Sequence, residues 1–245
     1  KLGVNDALPT TAGLTTATGS AATLDLNGKT QTLGDTIVIA GNSAGTVTIS
    51  DTAGGGLLKL GNDVSQNSAS LSNVTISAAL DLNGATRSFT LGNSTTTFEV
   101  SGTISNSSGT AGLTKLGVGT LTLSGANTFN GNTTVSAGLL TLNNTQALQN
   151  STLDTTASIA SSGATTGLKT TVTTLTLGGL SGDKNLASLF HSSNGYGGVT
   201  ALTLNPALGQ TSSYSGIIAN GASGMTLTKT GAGTQVLTVA NSYTG

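Results

Sequence analysis

Short stretches in which apolar and polar residues alternate recur along the whole chain. Thr46-Val47-Thr48-Ile49, Thr120-Leu121-Thr122-Leu123 and Thr174-Leu175-Thr176-Leu177 are clear cases. Successive side chains of a β-strand point to opposite faces, so each run gives one aliphatic face and one threonine face. Threonine suits the outer face because its branched Cβ favours extended backbone. The runs end at turn signals: Asn27-Gly28, Asn83-Gly84, Asp51 to Gly56, and Asn130-Gly131-Asn132. Helical periodicity never exceeds two turns. Its best candidate lies in Asp183 to Ser192, where Leu186, Leu189 and Phe190 are three to four residues apart, and the segment reads as a loop excursion. The chain is therefore all-β.

Internal repeats decide which kind of all-β protein it is. Leu113 to Gly131 aligns without gaps on Leu227 to Gly245, an offset of 227 − 113 = 114, with ten of nineteen positions identical. Ala79 to Thr86 aligns on Thr23 to Thr30 at an offset of 56, and Leu142 to Leu148 resembles Leu2 to Leu8 at an offset of 140. Offsets of 56 and 114 correspond to three and six windings of about 19 residues, close to the range of solenoid repeats. On that reading Gly117, Gly119, Gly231 and Gly233 sit at turns that need positive φ. Asn127 and Asn241 take the left-handed region and bond their own backbone. Phe129 and Tyr243 cover a corner of the core, while Lys115 and Lys229 stay in solvent.

Composition narrows the function classes. Only 7% of the 245 residues are charged and 3% aromatic, while 36% are hydrophobic. Disordered chains combine low hydrophobicity with high charge, so this is a folded chain wetted by hydroxyls and amides. Eight basic and nine acidic residues are scattered, which offers no stripe for nucleic acid or an anionic membrane. With no cysteine there is neither a disulfide framework nor a thiolate metal site. No apolar run approaches the roughly 20 residues of a spanning helix, and no apolar segment of a signal peptide follows Lys1. The sequence reads as a piece of something longer.

Gly112 to Asn144 strongly resembles the autotransporter-associated β-strand repeat of bacterial surface proteins. The resemblance runs through Lys115-Leu116-Gly117-Val118-Gly119-Thr120-Leu121, then Ala126-Asn127-Thr128-Phe129 and Thr133-Thr134-Val135, then Gly138-Leu139-Leu140. The copy from Leu227 to Gly245 departs at Gln235, Val236 and Val239. The resemblance implies a right-handed parallel β-helix, exported by a C-terminal β-barrel, in a protein of adhesion, autoaggregation or display. It carries no catalytic residue to transfer.

Other constellations read as structural. His191 is the single histidine, with Asp183 eight residues before and Ser192 and Ser193 after it; it reads as a surface histidine rather than part of a Ser-His-Asp set. Gly41-Asn42-Ser43-Ala44-Gly45 spells a nucleophile elbow, but Thr46 to Ile49 after it is a strand where a helix is required. Asp25 and Asp81 occupy equivalent repeat positions and could cluster across windings as in polysaccharide-cleaving β-helices; they read as turn residues. Neither a calcium-loop nor a phosphate-loop pattern occurs. Threonine pairs at 46/48, 120/122, 171/173, 174/176 and 226/228 suggest an ice-binding ladder, against which their irregular spacing argues. Triplets of the N-x-S/T type begin at Asn73, Asn93, Asn106, Asn132, Asn143 and Asn150, as chance allows in this composition.

The resulting expectation is an all-β, right-handed parallel β-helix, an elongated solenoid in one domain over residues 1–245. Repeat copies lie near 112–144 and 227–245, with a possible loop insertion at 183–198. The chain is expected to be a non-enzymatic, extracellular shaft at a bacterial cell surface, adhesive or self-associating. No catalytic, cofactor-binding or metal-binding residue is assigned. Partners would be flanking windings of the parent chain or neighbouring copies, or glycans; a filament subunit, a glycan- or ice-binding helix and a polysaccharide-cleaving enzyme are the alternatives.

Overall fold

The computed structural model describes residues 1–16, 21–39, 45–66, 73–161, 165–191 and 195–245. Every strand pairing among them is parallel. A first sheet of ten strands runs from Leu14–Thr16 to Thr226–Lys229, a second of seven from Ala22–Asp25 to Gly167–Thr170, and a third of four from Thr30–Leu33 to Ile104–Ser105. Up to Ser105 the chain visits these three sheets in rotation, which makes them the faces of a β-solenoid; Thr211–Tyr214 and Thr234–Leu237 form a further two-stranded sheet.

Alternation assigns the interior as expected. On the first face Leu14, Ile37, Val64, Phe89, Lys115 and Val135 stack in one file; on the second, Val47, Val74, Phe98, Leu121, Leu140 and Leu168 do so. Phe89 and Phe98 meet across the core edge to face, with centroids 6.2 Å apart. The aliphatic files form one continuous core, and each fully buried Leu, Val or Phe contributes roughly 1.5–3 kcal/mol.

Windings are longer and less regular than about 19 residues. The second face steps from Thr120 to Leu139 (139 − 120 = 19) and then from Leu139 to Gly167 (167 − 139 = 28). The 114-residue repeat therefore does not return to the same angle. Leu113 lies on a ladder with Thr133, Leu153 and Leu180, whereas Leu227 lies on one with Leu202 and Leu175. The 56-residue repeat is displaced too: Asp25 ends a strand of the second face and Asp81 one of the third. Asp25 and Asp81 therefore do not cluster across windings, though each closes the same local turn, as expected of turn residues. The faint 140-residue repeat comes back within two residues of its place, Leu142 on the ladder of Leu24 and Leu2 against Leu26. Leu142 ends a second-face strand, and the Leu2 amide bonds Asp25 O at the end of another.

Midway the cross-section changes. The third face ends with Ile104–Ser105; Thr174–Ser181 runs through the corner that separated it from the first, and Leu148–Asp154 does so with a register shift between Leu148 and Thr152. Gly178 and Gly179 permit this. A Cβ on Gly178 would lie 2.3 Å from the Asn150 carbonyl carbon, and one on Gly179 would lie 2.6 Å from Ser212 Oγ. Across this thin place the Thr152 and Ser212 hydroxyls, two windings apart, meet at 3.3 Å.

Within 183–198 the described residues 183–191 and 195–198 include several that pack on the solenoid. Leu186–Leu189 forms one helical turn with Leu186 and Leu189 buried, Phe190 bridges to Leu168 of the second face, and Tyr196 packs against Phe190 at 5.4 Å. Apolar residues three and four apart form one stripe, and here that stripe closes the core. No helix among the described residues is long and apolar enough to cross a membrane.

Repeat corners and candidate binding surfaces

Lys115 overturns its expected exposure. In Leu113-Thr114-Lys115-Leu116 it shares the inward parity of Leu113 and is 0% exposed. Its Nζ donates to the carbonyls of Leu116 and Gly117 at 2.8 Å and of Ala137, one winding on, at 3.1 Å. Three carbonyls match the three N–H donors of an ammonium. Burial pushes its pKa down to about 7. Gly117 turns the chain there with φ +72°, as expected. Gly138 has φ +66°, and a Cβ on it would lie 2.7 Å from the lysine Nζ. The Lys-x-Gly-x-Gly and Ala-Gly parts of the repeat thus form one joint between successive windings. Gly119 and Gly233 lack positive φ; a Cβ on either would strike backbone, at 2.5 Å from Asn93 O and 2.1 Å from Ala207 O.

Asn127 forms the next joint, by a different route from the one expected. It has no positive φ. Its carboxamide is buried, with Oδ1 accepting from Ile104 N at 2.8 Å and Nδ2 donating to Ala147 O at 2.9 Å. One side chain therefore links the winding below to the one above. In the second copy Lys229 is exposed and reaches only Gly231 O, while Asn241 accepts from Ile218 N and donates to Val239 O. Phe129 is buried as expected, and Tyr243 packs on the core while half-buried.

Aspartates close the polar turns. Asp25 accepts from the Thr52 hydroxyl and amide, from Asn27 N, and from Lys1 Nζ at 3.1 Å. The Thr52 hydroxyl leads the contacts that hold its carboxyl well below the usual range. Asp51 accepts from Gly28 N at 2.6 Å and Gly56 N at 2.7 Å, which lowers it as well. For Asp81, burial acts upward but is outweighed by hydrogen bonds from Ser107 and Asn83. Each of these carboxylates accepts two backbone amides at a turn.

His191 is 9% exposed, and its amide bonds Leu168 O, so it is no surface histidine. Asp183 accepts instead from the Thr156 hydroxyl at 3.1 Å. Ser192, Ser193 and residues 41–44 of the elbow-like motif lie outside the described residues. Arg87 went unforeseen. It points inward beside Phe89 and donates to Leu82 O, Gly61 O and Leu60 O. The signal was present, because Arg87, Phe89 and Leu91 share one parity.

The outer surface is more ordered than the threonine spacing suggested. Thr23, Thr48, Thr75, Glu99, Thr122, Thr141 and Lys169 stand in one file on the second face, so the threonines align but a carboxylate and an amine interrupt them. Thr176, Thr203 and Thr228 form another file on the first face. Beside the straightened corner lies a cleft of about 420 Å³ lined by Thr128, Asn130, Asn150, Thr152, Leu208 and Gln210, hydroxyls and carboxamides without a charge. Leu208 stands on its rim, 84% exposed. No group of three or more metal-ligating side chains occurs among the described residues.

Against this geometry, residues 113–142 and 227–245 match the family described as passenger-associated-transport-repeat. Over 133 residues the chain is 39% identical to the adhesin BmaC autotransporter of Brucella suis biovar 1 (strain 1330), a match covering 49% of this chain and 4% of that protein. The chain thus spans a small fraction of the length of the relative it matches. No solved structure matches it.

Proposed function

We propose that this chain, two stretches of which match the passenger-associated-transport-repeat, is a segment of an autotransporter passenger, an extracellular, non-enzymatic shaft with an adhesive role. The observation that carries this reading is the use made of its polar residues. Lys115, Asn127, Arg87 and the turn aspartates are spent on joints between windings, with their donors and acceptors directed at backbone. Such joints stiffen a rod in which most contacts run between neighbouring windings. Similarity to an adhesin supports adhesion as the purpose of the rod. Display of the chain on a non-adherent bacterium through an unrelated β-barrel tests it. Attachment to host cells or matrix should exceed that of bacteria carrying the barrel alone, and equal attachment would refute the adhesive role.

One place favours a specific contact. The neutral cleft with Asn150, Gln210 and the exposed Leu208 offers amide hydrogen bonds beside an apolar rim, which suits an uncharged oligosaccharide. Binding of neutral oligosaccharides on a glycan array, lost in Asn150→Ala and Gln210→Ala, is the outcome expected; retention in both variants would remove the cleft from consideration.

A further inference from the structure

Asparagine followed by glycine is prone to modify itself, because no side chain on the glycine obstructs attack of its backbone nitrogen on the asparagine carboxamide. The nitrogen first loses its proton to solvent. It then bonds to Cγ, the Cγ–Nδ2 bond breaks, and ammonia departs with a proton taken from water. Water opens the resulting cyclic imide to aspartate or isoaspartate. The chain has five such pairs, at 27/28, 83/84, 130/131, 194/195 and 220/221. Asn194 lies outside the described residues.

Three of the other four are capped at the attacking nitrogen by a neighbouring winding. Gly28 N–H donates to Asp51 Oδ1 at 2.6 Å, Gly84 N–H to Asn106 Oδ1 at 2.8 Å and Gly131 N–H to Ala111 O at 2.7 Å. Losing the proton forfeits the bond, and at Gly28 it also sets a new anion against a carboxylate. Asn27 and Asn83 are half-buried and Asn130 is exposed, so exclusion of water does not protect them. The fourth pair differs. Gly221 N–H is directed at the Met225 thioether at 3.4 Å, a weak acceptor. Thr244 holds the Asn220 carboxamide, accepting from Nδ2 at 2.8 Å and donating its amide to Oδ1 at 3.0 Å. Those bonds leave the attacking nitrogen alone, and the one to Oδ1 draws electron density from Cγ, the atom attacked.

We propose that Asn220 is where the folded chain modifies itself, to aspartate or isoaspartate, and that Asn27, Asn83 and Asn130 are latent sites held shut by the acceptor a neighbouring winding supplies. Stacking then preserves chemistry as well as shape, because a winding that comes away frees the glycine nitrogen it had capped. Each conversion adds a carboxylate to a chain whose net charge is −1. The shaft reading does not depend on this chemistry, and the experiment below involves no adhesion.

Peptide mass mapping after long incubation in mildly alkaline water labelled with heavy oxygen reads each site separately. In the folded chain label should enter at Asn220, and about tenfold more slowly or less at Asn27, Asn83 and Asn130; in urea all four should react at similar rates. Asp51→Ala should raise the rate at Asn27 about tenfold and leave Asn83 unchanged, whereas Asn106→Ala should do the reverse. Asp51→Asn, which keeps an oxygen acceptor without the charge, should fall between the native chain and Asp51→Ala at Asn27. Melting curves identify any variant that has lost its fold, and the comparison of folded chain with urea requires no variant. No label at Asn220 in the folded chain, equal labelling of all four sites there, or a folded Asp51→Ala variant in which Asn27 reacts no faster would each overturn the proposal.

Discussion

Lys115 and Lys229 hold the same position of the repeat, yet the first lies enclosed beneath the Ala137 carbonyl and the second is exposed with only Gly231 O as partner. The same residues in the same local turn thus have two fates. The Ala137 carbonyl of the next winding is what closes the Lys115 side.

The enclosed amine makes stability rise with pH. Its folded pKa, about 7, lies below the ordinary 10.5, so between these values the unfolded chain binds more protons and folding is favoured as pH increases. The rise approaches about 1.4 kcal/mol per pH unit in that window. Urea titrations at pH 6.5, 7.5 and 8.5 should show it in the native chain and not in Lys115→Met. The variant should also be less stable at high pH, by about 1–3 kcal/mol, because it leaves buried carbonyls unpaired. Parallel pH curves for the two proteins would contradict the assignment.

Asn127→Ala should be far costlier than Asn241→Ala. The first change strands Ile104 N–H and Ala147 C=O inside the solenoid, at about 2–4 kcal/mol for the pair. The second affects a partly exposed corner with one partner from a neighbouring winding. Thermal melts of both variants decide the matter, and equal losses would mean that Asn127 does not link windings.

Gly178→Ala should destabilise by about 1–3 kcal/mol or more through overpacking, because the new Cβ falls 2.3 Å from the Asn150 carbonyl carbon. Gly197→Ala, with nothing within 4 Å of a Cβ, serves as the control. Similar melting temperatures for the two would show that the windings at Gly178 are not so close.

Acid should loosen the turns. Asp25 is depressed, so its stabilising effect is present above the ordinary aspartate pKa and is lost as pH falls through that value towards the folded one. Thr52→Val removes the leading cause of the depression, and acid unfolding followed by circular dichroism should then begin at higher pH. An unchanged acid transition would remove Thr52 from the account.

Strands and turns were legible in the sequence because parity and turn chemistry are local, and the parallel solenoid because the chain repeats itself and resembles a β-helical family. The angle at which each repeat sits was not, because it depends on the summed lengths of irregular windings between copies. Lys115 and Arg87 were misjudged or missed for another reason. Charge argued for solvent while parity argued for the core, and parity prevailed because the adjoining corners supply carbonyls to receive the charge. Asn127 shows the same limit, since its partners lie 23 residues before and 20 after it. The buried helical turn at Leu186–Leu189 was too short for periodicity to separate from a loop.

Repeat copies that stand at different corners have a consequence for how such a molecule can grow. A gear must advance by whole teeth, but a screw thread can be cut or extended at any fraction of a turn. Copies 114 and 56 residues apart form usable corners at different angles here, so a repeat of this chain need not span complete revolutions.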